Sequence, residues 1–531
     1  MKRLKFQYIM LAALAFASCS KYTELEPVDA ASEKVAFETP ANIKLAMLGV
    51  YESAAIGAYN GDKASARGYP FGAASIEQAE MRGEDMLNID QFYAITYSGD
   101  VNTTSANNVN HWNNLYALIN QTNVMIEGVT GAVKNNVISD AEAKAYEGEA
   151  RFLRALAHHE LLIHFCFPYG DGAGSKAGIP YRVKAVTTMQ AVQENLSMGR
   201  GTVAEAYTKL LADLDFAETN ITNATYPAAD GGYSRATKGA AIALKIRIKQ
   251  HMGDWDGVIA EGAKLGTSLA APPFKSPVGN YELTADPEVP FTNYKSNSES
   301  VFSIANGPNS NGGSNGALAA MFGPADKNGR GLVATSPILY NASFWVVNDL
   351  RRSKLQVLQT TAGARYYFNY KFRDYTNRAD WAPIIRYAEV LLNVAEAYSR
   401  KGNVAQAFAL LNAVRNRSVT NLVDRFAVPP ADLTLAILNE RRIEFTGEGR
   451  RWPDIHRLAK DPVYGINGIP AKMLRSQMKL DGTDYNPATP PVFSGTGVPK
   501  YDYDNFRYLW PFPSTEVAAN PTLKNQQNKG Y

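Results

Sequence analysis

Apolar residues recur at helical spacing in two blocks of this chain, separated by stretches with no period. Ala41–Ala54 has apolar positions on one helical face. Val109–Val129 carries Trp112, Leu115, Tyr116, Leu118, Ile119, Val124 and Ile126 as an i, i+3, i+4 stripe. Ser139 opens the next helix, with Glu142 at capping-box spacing, and the helix runs through Phe152, Leu153, Leu156 and Leu161 to a stop at Pro168. Gly201–Thr219 and Thr237–Met252 are amphipathic; Gly253-Asp254 is a tight break before a new helix over Trp255–Leu265. The second block predicts helices over Ile384–Arg400, Val404–Arg417 and Leu433–Glu448, with a turn at Lys401-Gly402-Asn403 and a stop at Gly449. Helix–short turn–helix units of this kind predict tetratricopeptide-like hairpins in a mainly α fold.

Between the helical blocks the texture changes. Ala271–Asp380 is rich in Pro, Gly, Asn and aromatic residues, and Asn306–Asn315 (NGPNSNGGSN) excludes regular structure. Asp461–Tyr501 and Ala58–Gly99 read as further loop-rich stretches. Segments this long exceed simple connections, and long loops on a rigid scaffold are where binding residues concentrate.

The N-terminus reads as an address. Lys2, Arg3 and Lys5 precede a short apolar run, Phe6–Ala17, and the small residues Ala17 and Ser18 lead into Cys19. That is a secretory signal with a lipobox, with Phe16 where Leu is commonest. Residues 1–18 are expected to be removed, Cys19 to carry a covalent lipid, and 19–38 to form a tether. Two or more acyl chains hold firmly, since each buried methylene contributes ~0.8 kcal/mol. Cys166 then has no internal disulfide partner and reads as a small buried residue. The chain has 54 Lys+Arg against 51 Asp+Glu; without the three basic residues of the signal the two are equal. Bulk charge therefore gives no reason to expect nucleic acid and favours a neutral ligand, though it leaves local patches open.

Glu440 and Glu444 lie one turn apart, as an acid pair could, but Arg441, Arg442, Arg450 and Arg451 stand beside them. Such neighbours would pair with the carboxylates and keep them ionised, which spoils a general acid. His158, His159 and His164 do not share a helix face as i, i+4 ligands do, so no metal site is expected from them. No phosphate-binding glycine loop or nucleophile elbow is present.

Several segments, in order along the chain, resemble the SusD/RagB family of outer-membrane lipoproteins. They are Gly148–Leu156 (GEARFLRAL), Tyr169-Gly170 with Gly178-Ile179-Pro180, Arg235–Leu244 with Gly253-Asp254-Trp255, Ile385–Tyr398 with Leu411–Arg417, Glu440–Ile455 (ERRIEFTGEGRRWPDI), and the tail from Trp510 to Tyr531. Lys529 stands where the family usually has Pro. The resemblance implies a single large helical domain over 39–531, with scaffold over 39–266 and 383–460 and a variable loop-rich region over 271–382. It further implies a surface-facing, lipid-anchored, non-enzymatic protein that captures a glycan, or a peptide as RagB-type members do, for a partner SusC-like TonB-dependent transporter. A surface glycosidase using Glu440 or Asp85, and a protein-binding scaffold without a small ligand, are the competing readings. No cofactor beyond the lipid is implied; a calcium ion on loop carboxylates stays open, without EF-hand spacing to support it.

For a glycan, rings that stack on C–H faces and amides that meet hydroxyls are the expected chemistry. Trp112, Trp255, Trp452 and Trp510 fall in family-like segments and read as structural, whereas Trp345 and Trp381 fall in the variable region. The expected contacts are Tyr93, Tyr97, Asn311, Asn315 and Trp345, each in a variable loop. A Cys19→Ala variant is expected to bind ligand yet fail to support uptake in cells; normal uptake would count against the anchor.

Overall fold

The computed structural model describes residues 33–57, 67–223, 225–227, 231–361, 363–490 and 497–531, so Cys19 and the tether before residue 33 lie outside the described residues. The main helices of the first block are α1 (Pro40–Ile56), the short α2 (Ala73–Met81), α3 (Ala106–Lys134), α4 (Asp140–Phe165), α5 (Met189–Leu196), α6 (Val203–Asn220), α7 (Lys238–Met252) and α8 (Trp255–Lys264). The second contains α9 (Tyr387–Arg400), α10 (Val404–Ser418), α11 (Leu433–Glu444) and α12 (Arg451–Arg457). Their ends follow the expected chemistry. Ser139 Oγ accepts from the Glu142 amide at 3.2 Å while the Glu142 carboxylate accepts from the Ser139 amide at 2.9 Å. Thr202 and Glu205 repeat that box at the start of α6, and Gly253 (φ 72°) supplies the left-handed residue that closes α7.

Neighbours in sequence are neighbours in space. α3 packs on α1 and α4, α4 on α6, α6 on α7, α7 on α8, α8 on α9, and α9 on α10 and α11. This serial stacking is the hairpin array that the periodicity predicts. Because α7 and α8 both meet α9, the two helical blocks form one body around a common core in which Leu115, Phe152, Leu244, Leu391 and Leu411 are fully buried.

The strands are few and paired in twos. β1 (Met86–Asn88) is antiparallel to β3 (Val333–Thr335), β2 (Ser300–Ile304) to β6 (Ala382–Arg386), and β4 (Gln356–Thr361) to β5 (Ala364–Asn369). Two helix boundaries differ from the periodic reading. Ala382–Arg386 is strand, and α9 starts only at Tyr387, whose amide donates to Glu299 O at 2.8 Å. The β-branched Ile384-Ile385 pair after Pro383 suits a buried strand better than a helix's first turn. α11 stops at Glu444 rather than Glu448, because Gly447 takes φ 76°. Residues 67–99, the described part of the 58–99 stretch, are also more regular than a loop, since α2 and β1 lie within them.

A buried lattice of charges joins the loop-rich region to the helices. Glu444 of α11 meets Arg351 at 2.8 Å, Arg386 of β6 at 2.9 Å and Arg417 of α10 at 2.6 Å. Glu440 meets Arg351 at 2.7 Å and Arg415 at 3.0 Å. Glu448 meets Arg386 at 2.8 Å and Lys371 at 2.6 Å. Glu299 takes Arg386 and Arg417, and Asp349 takes Arg351. All ten side chains are buried or nearly so, and their formal charges balance. Burial alone would raise the Glu444 carboxyl, but the guanidiniums of Arg417, Arg386 and Arg351 hold it well below the usual carboxylate range.

Removing one member strands its partners. Glu444→Gln is expected to cost about 3–5 kcal/mol in denaturant unfolding; a loss below about 1 kcal/mol, the range of a surface pair, would show that the lattice is not structural. Acid acts similarly at Glu389, where Arg247 outweighs the raising effect of burial and brings the carboxyl down to about 2. The contribution of that pair is complete above the unfolded value of about 4.3 and falls away as pH drops through about 2, so stability should decline over that window.

Candidate functional site

The loop-rich region carries a strip of half-exposed rings, amides and guanidiniums. At one end Phe92 sits with the Arg330 guanidinium 4.6 Å and the Arg67 guanidinium 5.8 Å from its ring centre. Arg330 donates to Asn315 Oδ1 at 2.7 Å. One residue earlier, Ser314 Oγ accepts from Arg378 at 2.8 Å. Asn311 donates to Gly307 O at 2.8 Å and to Asn377 O at 3.3 Å, and its own oxygen accepts from the Gly313 amide at 2.8 Å. At the far end, Asn306 donates to Asp380 O at 3.0 Å, and Asn306 O accepts from the Trp381 indole at 3.1 Å. The Trp381 ring lies 5.4 Å from Tyr233 and 6.3 Å from Tyr294, centre to centre.

The local sequence explains the shape. Asn306–Asn315 has too few apolar residues to pack as an element, so its amides close it by side-chain bonds to its own backbone. Its regular turns are Gly307–Ser310, closed by reciprocal backbone bonds, and Gly313–Asn315. The strip's base is firm. The Asp380 carboxylate accepts from the amides of Arg373 and Asp374 at 3.1 and 3.0 Å, and Trp381 passes directly into buried β6, whose Arg386 belongs to the charge lattice. Beneath Phe92, Glu77 of α2 is fully buried facing the Tyr93 hydroxyl, and burial pushes its carboxyl up to about 8 against the lowering effects of Tyr93 and Arg330.

Of the five expected contacts, Asn311 and Asn315 lie in the strip, but the three rings are core residues. Tyr93, Tyr97 and Trp345 are only 1–3% exposed. Tyr93 packs edge-on against Phe92 at 5.0 Å. Tyr97 donates to Met473 O at 2.6 Å, with Lys472 over its ring at 4.8 Å, and lines a 690 Å³ cleft with Gln91, Tyr366 and Arg475. Trp345 is covered by Arg352 at 4.4 Å and by Tyr340. The expectation that these three present open ring faces is corrected: Phe92 packs against Tyr93, Lys472 lies over Tyr97 and Arg352 over Trp345. Phe92 and Trp381 are the half-exposed rings instead, and both stand in the loops that composition marks out. Arg67, Arg330 and Arg378 carry no sequence signal beyond lying in those loops.

The other chemistry named from the sequence resolves as structure. Glu440 and Glu444 are ion-paired as expected, but by Arg351, Arg386, Arg415 and Arg417, from elsewhere in the chain. Of the sequence neighbours, Arg441 goes to Asp454, and Arg442 and Arg451 go to Glu84 and Asp85. His158 stacks on Tyr181 at 3.8 Å and His159 meets His251 at 4.8 Å. His111, Glu160 and His164 do converge, their ligand-type atoms all lying within 4.8 Å of one another. The donor pattern argues against a metal there. Arg82 donates to His164 Nδ1 at 3.2 Å, so the ring proton sits on Nε2, which faces Glu160 Oε1 at 3.3 Å. A 540 Å³ recess between α3, α5 and the tail has its central carboxylate, Glu516, already taken by Trp112 and Arg182.

The chain matches known proteins over its whole length. Residues 353–531 match the model described as SusD family, and residues 52–249 the model described as starch-binding associating with outer membrane. A SusD-like protein of Formosa agariphila is 25% identical, with all of each chain covered. A SusD superfamily protein from Bacteroides fragilis superposes with a TM-score of 0.73 at 25% identity, covering 92% of this chain and 99% of the other. A laminarin-binding SusD-like protein superposes with a TM-score of 0.65 at 20% identity, covering 93% and 100%.

If the strip is held by its side-chain bonds, Arg378→Ala should raise amide hydrogen exchange over 306–316 while costing under about 1 kcal/mol of global stability. Unchanged exchange there would mean that the loop is fixed by other contacts.

Proposed function

The chain belongs to the SusD/RagB family, and from that premise we propose that it captures a glycan on the loop strip and passes it to a SusC-like TonB-dependent transporter. In this reading the lipid on Cys19 holds the protein at the outer membrane, facing outward. The observation that carries the glycan reading is the strip itself, with half-exposed Phe92 and Trp381 interleaved with Asn306, Asn311, Asn315 and three guanidiniums. Sugar rings present apolar C–H faces to such rings and hydroxyls to such amides. The laminarin-binding neighbour and the description of the 52–249 match support the same ligand class. Among the described residues no helix is long and apolar enough to cross a membrane, so a lipid anchor would serve for attachment. Tethering raises the local concentration of the protein at its transporter without any new contact.

The acids once open to a catalytic reading, Glu440, Glu444 and Asp85, are all spent on arginines, which removes the structural support for a glycosidase built on them. The purified protein, run through native gels containing individual polysaccharides, is expected to be retarded by one polymer without degrading it. Trp381→Ala should weaken that binding by roughly tenfold, about 1.4 kcal/mol, with the fold intact by circular dichroism. Full affinity in that variant would remove Trp381 from the site.

A further inference from the structure

In the buried lattice every arginine is matched with acid. Arg351, Arg386, Arg415 and Arg417 each meet at least one glutamate within 3.0 Å, as burial of a charge demands. Buried Arg82, Arg200 and Arg352 rest instead on backbone carbonyls that water cannot reach, whereas the arginines of the strip are half-exposed and so open to a ligand. Arg330 is held by the amide oxygen of Asn315 and the sulfur of Met321, and Arg378 by the hydroxyl of Ser314. These acceptors are neutral: they orient the guanidinium and leave its charge standing. Arg67 is placed against Phe92, the same ring that Arg330 covers. Among the described residues, none of the three has a carboxylate oxygen within 4.0 Å.

The acids that surround the strip are otherwise engaged, beginning with Glu52, which accepts from Ser310 Oγ at 3.1 Å. Asp374 accepts from the Asn377 amide at 2.9 Å and takes the Tyr294 hydroxyl at 3.5 Å. Asp380 faces inward to two backbone amides, and burial pushes it up to about 6. Glu77, directly below, is raised to about 8 by burial, so at neutral pH it is mostly protonated and leaves Arg330 uncompensated. Two like charges gathered at one aromatic ring without a counter-ion repel each other. An anion entering between them would relieve that repulsion, and a half-buried guanidinium offers a planar fork that fits a carboxylate or sulfate oxygen pair.

We propose that the strip selects an acidic glycan, one whose sugars carry carboxylate or sulfate groups, with Arg67, Arg330 and Arg378 reading the anions while Phe92, Trp381 and the asparagines take the sugar rings. This rests on the strip being the glycan site, and it reverses what bulk charge suggests: a chain whose mature part has equal acidic and basic counts nonetheless concentrates three unmatched cations on one loop face.

The test is affinity electrophoresis of the purified protein in gels of polygalacturonate, alginate, carrageenan, laminarin and starch, at low and high salt. Retardation by an anionic polymer, weakening with salt, is the expected result; polygalacturonate or alginate would assign uronic acid, and carrageenan a sulfate ester. The double variant Arg330→Gln/Arg378→Gln should lose at least about tenfold in that affinity. Arg330→Lys, which keeps the charge without the fork, should fall between, and Lys209→Gln on the helical face should leave binding unchanged. Thermal melts establish that each variant is folded. Retardation by laminarin or starch alone would overturn the acidic-glycan proposal while leaving the glycan reading intact. Equal loss in Lys209→Gln would also overturn it, by showing diffuse charge rather than a site. Retardation by no polymer would overturn the glycan reading itself, and the proposal with it.

Discussion

The buried lattice around Glu444 is the constraint on which this molecule's organisation depends. Five carboxylates and five cations, drawn from the residue before β2, the short helix Leu350–Lys354 and its cap Asp349, the segment just after β5, β6, α10, α11 and the turn after it, meet in the core. Charges so far from water are tolerated only with partners at hydrogen-bonding distance, and the whole set must be present for each member to be satisfied. The helices stack by burying apolar stripes, which is non-directional and tolerates small shifts. The lattice does not tolerate them, because fork and carboxylate must face each other. It therefore fixes where the loop-rich region sits on the helical body.

That fixing carries through to the strip. Trp381 is continuous with β6, and β6 is held at Arg386 by three glutamates. The Asn306–Asn315 loop hangs from this edge by Asn306 and Asn311. Long irregular segments lose much conformational entropy when ordered; here each stretch of loop is tied by a few polar bonds to a backbone that is already fixed. The outcome is a face whose polar groups are held in fixed orientations, which would give the proposed capture affinity without large area. The same economy leaves Arg330 and Arg378 with neutral partners, so their charge stands uncompensated.

Much of the helical architecture was legible. Periodicity located α3, α4, α6, α7, α8 and α10 to within a few residues, and the Ser139–Glu142 spacing is a capping box in the structure. It failed where an apolar run had another use. Ile384 and Ile385 have no period of their own, and only pairing with β2 decides that they are strand. The site was half legible. Composition identified the loops that carry it, and Asn311 and Asn315 lie in the strip. Tyr97 and Trp345 have the right chemistry in the right segments, but Met473 and Arg352, distant or local, cover them.

The sequence by itself determined the helical period, the caps, the breaks at glycine, the ordered motifs of the family, and the signal-like N-terminus, because each is a local arrangement of neighbouring residues. Only the tertiary structure decided which ring of a loop faces water, which arginine meets which glutamate, and which cations are left unmatched. Glu444 lies within a few residues of Arg441 and Arg442 and pairs with neither; it takes arginines 27, 58 and 93 positions away. Exposure and pairing are sums over all elements packed around a side chain, and no window of neighbouring residues contains those elements.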